Sequence, residues 1–227
     1  MMKGTPNLID RRTLLLGAGL ASTTTIGMAE ASSALPVPPL GRLGFRIMRQ
    51  GSRIGEHHST FERKGDALTI RAEAEIIVRL MGISVFRYAH HATEQWQGGE
   101  FATLQTKTND DGTSYWVDAE RAGSGLVVSG SAQNRYVAPA EALPMTHWNR
   151  SQVRLPKINP QKGDLLRPAV IDRGIEQVAV ASGGTIAARR YQFTGQAILD
   201  VWYDADGYWA ALAFLGGDQS RITLERL

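Results

Sequence analysis

The 227-residue chain has no cysteine. That excludes disulfides, thiolate metal sites, a cysteine nucleophile and lipid attachment through cysteine. It also lacks any block of five or six like charges of the kind that nucleic-acid tails carry. Lys and Arg number 25 against 22 Asp and Glu, a formal net of +3, so the pI near 9.3 reflects a small surplus over a mixed surface. A nucleic-acid partner is not expected. Phosphate loops, dinucleotide fingerprints and a Gly-x-Ser-x-Gly elbow are missing. No apolar stretch after residue 31 approaches the roughly 20 residues of a membrane-spanning helix, so no transmembrane segment is expected in the mature chain. At 43% hydrophobic residues, the chain has ample material for a packed core.

Residues 1–31 read as an export signal. Lys3, Arg11 and Arg12 form a positive region, an apolar run follows from Thr13 to Ala29, and Ala29-Glu30-Ala31 offers a small-residue cleavage site. Arg11-Arg12 before Thr13-Leu14-Leu15 resembles a twin-arginine signal, with Asp10 and Leu16 departing from the usual pattern. The alternative is an ordinary secretory signal that happens to carry two arginines. Either way a periplasmic or secreted protein is expected. Its mature part would hold 22 basic and 20 acidic residues, a net of +2. Residues 32–41, with Pro36, Pro38 and Pro39, read as an extended leader into the domain.

From residue 42 onward the hydrophobic period is two. The clearest case is 68–80, where Leu68, Ile70, Ala72, Ala74, Ile76, Val78 and Leu80 occupy alternate positions. A strand puts all of these on one face, whereas a helix would scatter them. Turn signals such as Gly65-Asp66, Gly98-Gly99 and Asp206-Gly207 separate runs of this type along the chain. The expected fold is therefore all-β: a strongly curved antiparallel sheet or incomplete barrel formed by a single domain, residues 42–227. Strands are expected at 169–172 and 175–181, parted by a turn at Arg173-Gly174. The proline-bearing segment 135–168 interrupts the pattern and is expected to be one long crossover or lid, with Thr146–Asn149 as a short helical turn.

Alternation also shows which polar residues sit on an apolar face. On 85–96 the apolar face carries Phe86, Tyr88, His90, Ala92, Glu94 and Trp96, and on 56–63 His57 shares a face with Phe61. An unpaired buried carboxylate is costly, so Glu94 needs a partner. His57, His90, Arg189 and Arg190 are the candidates. His57, His90, Glu94 and Arg189 are thus the candidate catalytic or head-group residues, unless the first three form a buried network that fixes strand register, with His90 bonded to Glu94 or to a backbone carbonyl. No metal is expected. His90 and Glu94 lie about 13 Å apart along a strand at 3.3 Å per residue, and adjacent His90-His91 point to opposite faces. No cofactor is expected either. Asp204-Ala205-Asp206-Gly207 reads as a hairpin turn, because the later ligands of a calcium loop are missing.

Three segments carry a resemblance to an uncharacterised family of exported bacterial proteins bearing a domain-of-unknown-function label. They are Ile54-Gly55-Glu56-His57; Arg87-Tyr88-Ala89-His90-His91-Ala92-Thr93-Glu94-Gln95-Trp96; and Ala188-Arg189-Arg190-Tyr191 with Leu199-Asp200-Val201-Trp202-Tyr203-Asp204. The resemblance covers residues 42–227 and implies no activity. It does imply that His57, Arg87, His90, Glu94, Trp96, Arg189, Tyr191 and Asp200 belong to a shared pattern. The first functional expectation is binding of a lipid-like or other small amphipathic ligand in the cavity of the curved sheet, with Phe86, Tyr88, Trp96, Arg87, Trp148 and Tyr191 contacting it. A second is a cofactor-independent enzyme using His90 or Glu94 as acid–base and Arg189 for an anion. A third is an interaction module for an envelope protein partner.

Overall fold

The computed structural model describes residues 35–227; the expected export signal and the first residues of the leader lie outside them. Strands β1 (Arg42–Arg49), β2 (Ser52–Lys64), β3 (Ala67–Leu80), β4 (Ile83–Gln97), β5 (Glu100–Asp110), β6 (Thr113–Ala122), β7 (Gly125–Gly130) and β8 (Gln133–Pro139) run up and down in sequence order. A crossover follows, with β9 (Leu143–Pro144), a 3₁₀ turn at Arg150–Arg154, β10 (Lys157–Ile158) and β11 (Leu165–Leu166). The chain then resumes as β12 (Ala169–Ala179), β13 (Thr185–Thr194), β14 (Leu199–Tyr203), β15 (Trp209–Leu215) and β16 (Arg221–Arg226).

Thirteen of these strands form one antiparallel sheet in the order β12-β13-β14-β15-β16-β1-β2-β3-β4-β5-β6-β7-β8. The last strand pairs with the first, from Phe45 opposite Arg226 to Arg49 opposite Ile222, which joins the two halves of the chain in mid-sheet. The sheet does not close into a barrel: β8 and β12 are its edges. It curls instead. Just past the end of β12, Val180 bridges Arg226, and the Ala181 N–H donates to the Arg226 carbonyl at 2.8 Å. Val178, Ile186 and Ala188 there share a small apolar cluster with Trp202, Ala211 and Ala213. This explains why β15 is apolar at almost every position: Ala211 and Ala213 face that cluster while Leu212 belongs to the main core.

The main core lies on the concave face. Phe45, Ile47, Leu68, Ile70, Phe101, Leu104, Val117, Leu126 and Val201 are buried there. The crossover contributes Ala142, Leu143, Trp148, Val153 and Ile158 to the same core. A curved sheet of this width cannot meet itself across its hollow, and the crossover supplies the missing apolar surface.

The structure departs from the sequence expectation in three places. Residues 133–139 form β8, so the crossover begins after Pro139 rather than at residue 135. Residues 169–179 are one strand, because Arg173 is accommodated as a bulge between Asp172 and Gly174 instead of a turn. The helical turn falls on Arg150–Arg154, capped by the Asn149 side chain, which accepts from the Ser151 N–H; Thr146–Asn149 itself is not helical.

Gly55 shows how tightly β2 and β3 approach. A Cβ there would lie 2.0 Å from the Glu75 carbonyl oxygen. Gly55→Ala should therefore lower stability by about 1–3 kcal/mol through overpacking. Gly217→Ala, where nothing lies within 4 Å, should be nearly neutral. Urea-unfolding midpoints of the two variants check this contrast.

Candidate functional site

A cavity of about 710 Å³ opens between the concave face and the crossover. Ala72, Ala74, Ile76 and Val78 of β3 form one wall, with Phe86 and Tyr88 of β4 beside them. Leu212 and Phe214 of β15 and Ile222 and Leu224 of β16 also line it, and the crossover adds Met145, Thr146 and His147 together with Asn159, Pro160 and Gln161. Every strand residue named here is an alternate position of its strand, so period-two patterning builds this wall directly.

Three histidines interrupt the apolar lining: His57, His90 and His147. His57 is packed edge-on to Trp209 (5.0 Å between ring centroids) and to Phe45 (5.8 Å). Trp209 in turn lies 4.1 Å from Phe45 and 5.5 Å from His147. His90 Nδ1 is 2.7 Å from the Thr108 hydroxyl, and its ring stacks near Tyr88. Nδ1 of both His57 and His147 is buried without a hydrogen-bond partner among the described residues. Tyr203 holds the third histidine in place by donating to its carbonyl oxygen at 2.9 Å, and the His147 backbone has φ 68°.

All three imidazoles are kept neutral. Burial lowers His57 to about 3. Burial lowers His147 to about 3, with a contribution from Lys157, and lowers His90 to about 4, with one from His91. Neutral imidazole offers one donor and one acceptor, so this end of the cavity can hydrogen-bond a polar group without imposing a charge.

Glu94 is not in this lining. Its buried carboxylate turns toward the crossover, where it accepts from Trp96 Nε1 (2.9 Å), Trp148 Nε1 (3.1 Å) and the Thr146 hydroxyl (2.5 Å). None of the expected partners, His57, His90, Arg189 or Arg190, bonds to it. His90 takes Thr108, Arg189 pairs with Asp172 at 2.9 Å, and Arg190 forms a two-pronged pair with Asp200. Burial raises the Glu94 pKa, and the three donors offset part of that rise.

The other sequence candidates divide similarly. Phe86 and Tyr88 line the cavity; Trp96 and Trp148 are buried with Glu94 and do not. Arg87 is exposed on the opposite face, its guanidinium donating to Ser84, and Tyr191 packs against Tyr203. His147 and Trp209 escaped sequence reasoning as site residues. His147 sits in the crossover, where no alternation exists to show its direction, and Trp209 is lost in a continuous apolar run.

Two measurements follow. Replacing Glu94 with Ala strands two indole N–H groups and a hydroxyl in the core and should cost about 3 kcal/mol or more. The emission of Trp96 and Trp148 should shift to the red, while Glu94→Gln, which keeps an acceptor, should lose less. The histidines predict acid sensitivity. Their folded pKa values lie below the ordinary 6.5, so the unfolded chain binds more protons between about pH 4 and 6.5, and stability falls as pH drops through that window. His147→Asn, which tolerates the positive φ, should flatten the slope near pH 5 by about 1.4 kcal/mol per pH unit, measured by urea unfolding across pH. Glu94 acts oppositely, since a raised carboxyl favours the folded state at low pH.

A family model described as "Domain of unknown function (DUF6134)" matches residues 45–227. No curated protein matches the chain. Among solved structures the chain is similar to the β-barrel-like protein of domain of unknown function DUF1849 from Brucella abortus. The TM-score is 0.58 at 11% identity, over 82% of this chain and 94% of that one. At that identity the likeness is one of fold. With the family model spanning nearly all of the described sheet, the chain belongs to the DUF6134 family of domains of unknown function.

Proposed function

We propose that the protein binds a small amphipathic molecule in the concave cavity, its apolar body along β3, β4, β15 and β16 and its polar head against His57, His90 and His147. The observation that carries this reading is the lining itself: apolar walls interrupted by three histidines, two of them with a buried, unpartnered nitrogen. A volume of about 710 Å³ suits a ligand of a few hundred daltons. The head is uncharged, a hydroxyl or carbonyl, because the imidazoles it meets are held neutral by burial. On the strength of the twin-arginine-like segment, we place this binding in the periplasm or outside the cell. The acid–base reading has less support: His90 and Glu94 are bonded to different partners, and the carboxylate is enclosed by three donors.

Native mass spectrometry of protein purified from its own compartment without detergent should show an adduct of a few hundred daltons. In solution, dodecanol should quench Trp209 saturably, and dodecylammonium should do so at least tenfold more weakly. Ala74→Phe, which fills the cavity from β3, should abolish both adduct and quenching while the protein stays folded. A bare mass together with no saturable quenching overturns the reading.

A further inference from the structure

The β3–β4 hairpin outruns its neighbours. Its pairing with β2 ends at Gly55 opposite Ile76, and its pairing with β5 ends at Tyr88 opposite Asp110. From Ile76 to Leu80 it continues as a two-stranded arm about 13 Å long at 3.3 Å per residue. The tip of the arm is apolar and in water: Leu80 is 63% exposed, Met81 96%, Ile83 70% and Val85 51%. These residues continue the cavity wall. The alternate positions Ala72, Ala74, Ile76, Val78 and Leu80 pass from buried through half-buried to exposed along one face, and Ile83 pairs with Leu80. Val85 lines the cavity on this side and the exposed Leu215 lines it on the other. An uninterrupted apolar track thus leads from the tip into the cavity.

The arm itself carries charge of one sign: residues 76–88 hold Arg79 and Arg87 and no acidic residue. Arg79 and Arg87 on the arm and Arg221 at the start of β16 have no carboxylate partner among the described residues. Arg49 is paired with Asp218 and Arg53 with Glu56. The carboxylates of Glu75, Asp110 and Asp111 lie at the base of the arm; Asp110 accepts from Gln161 and Asp111 from the Arg87 amide, bonds that leave their charge in place. Two unpaired cations on an arm with an apolar tip and no acidic residue match an anionic surface with an apolar interior. A protein partner is a poorer fit. A stable interface takes about 800 Å² from each side, and the tip of a two-stranded arm offers no such face.

We infer that the β3–β4 arm is a membrane-contact element, inserting Leu80, Met81, Ile83 and Val85 into the headgroup boundary of an anionic phospholipid bilayer with the cavity mouth turned toward the lipid. Arg79, Arg87 and Arg221 then meet the lipid phosphates. Passage of an amphipathic ligand along the track into the cavity rests on the binding function proposed above; docking of the arm does not.

The test is flotation of the purified mature protein with vesicles of phosphatidylcholine and phosphatidylglycerol at 3:1, and with phosphatidylcholine alone. The wild type should float with the mixed vesicles and several-fold less with the neutral ones. Leu80→Asp combined with Ile83→Asp should reduce flotation at least tenfold with an unchanged melting curve, since both residues are exposed. Arg79→Glu with Arg87→Glu should abolish only the preference for phosphatidylglycerol. A wild type that stays unbound, or a tip variant that floats equally well, overturns the proposal. So does tip-dependent self-association by light scattering without vesicle binding, which would make the arm a contact between copies of this chain. Dodecanol quenching of Trp209, measured without vesicles, should be the same in the tip variant and the wild type. Its failure in both, with flotation intact, would refute the ligand and leave the arm's role standing.

Discussion

A buried carboxylate with no cation, Glu94, determines where the crossover lies. The sheet alone presents a wide apolar hollow, and many placements of a proline-bearing segment would cover it. Glu94 singles out one of them. Its buried oxygens demand donors, and Trp96 from its own strand, together with Thr146 and Trp148 from the crossover, supplies them. Hydrophobic packing is non-directional, whereas a buried acceptor is satisfied only where N–H and O–H groups point at it. Trp148 is held a second time by its edge contacts with Phe61 and Trp96, each 5.4 Å between centroids.

A buried ammonium helps hold the other part of the crossover. Lys157 donates to the Val153 and Leu155 carbonyls at 2.9 and 2.8 Å and lies over the Phe193 ring, and burial lowers its pKa to about 8. With Trp148 and Lys157 in place, the intervening chain and its small β9-β10-β11 sheet fill one part of the hollow. The unfilled remainder is the cavity. His147 reaches it because it lies between Thr146 and Trp148, both of which are bonded to Glu94. The carboxylate that looked from its strand position like a reacting group is thus a positioning group, acting on the cavity through the segment it anchors. The three histidines stay neutral because burial disfavours their charged form, and Glu94, turned away and bonded to other donors, offers them no ion pair.

The strands and their faces were legible because a pleated strand translates sequence parity directly into direction. His57, His90 and Glu94 were readable as inward-facing residues on that ground alone, and all three do point inward. Partnership was not legible. His90 and Glu94 share a face and a strand, yet four residues of extended chain separate them, so each takes its partner from another element: Thr108 on β5 for the one and the crossover for the other. Arg189 illustrates the opposite case. Parity puts it on a face with Tyr191 and Phe193, but the neighbouring β12 supplies Asp172 as its ion-pair partner, far from any role at Glu94. His147 could not be read at all, since the prolines around it remove the periodicity that assigns direction.

The sequence by itself determined the class of architecture and the side of the sheet on which each strand residue falls, because both follow from local backbone geometry with a period of two. It also determined the absence of disulfides and thiolate chemistry, because those need an atom the chain does not contain. Only the tertiary structure decided which inward residues share a cavity, which carboxylate anchors the crossover and which hairpin stands clear of its neighbours. These depend on sheet curvature, on strand lengths compared across ladders and on contacts between residues more than fifty positions apart, such as Glu94 with Thr146 and Trp148. None of those quantities is a property of a local window of sequence.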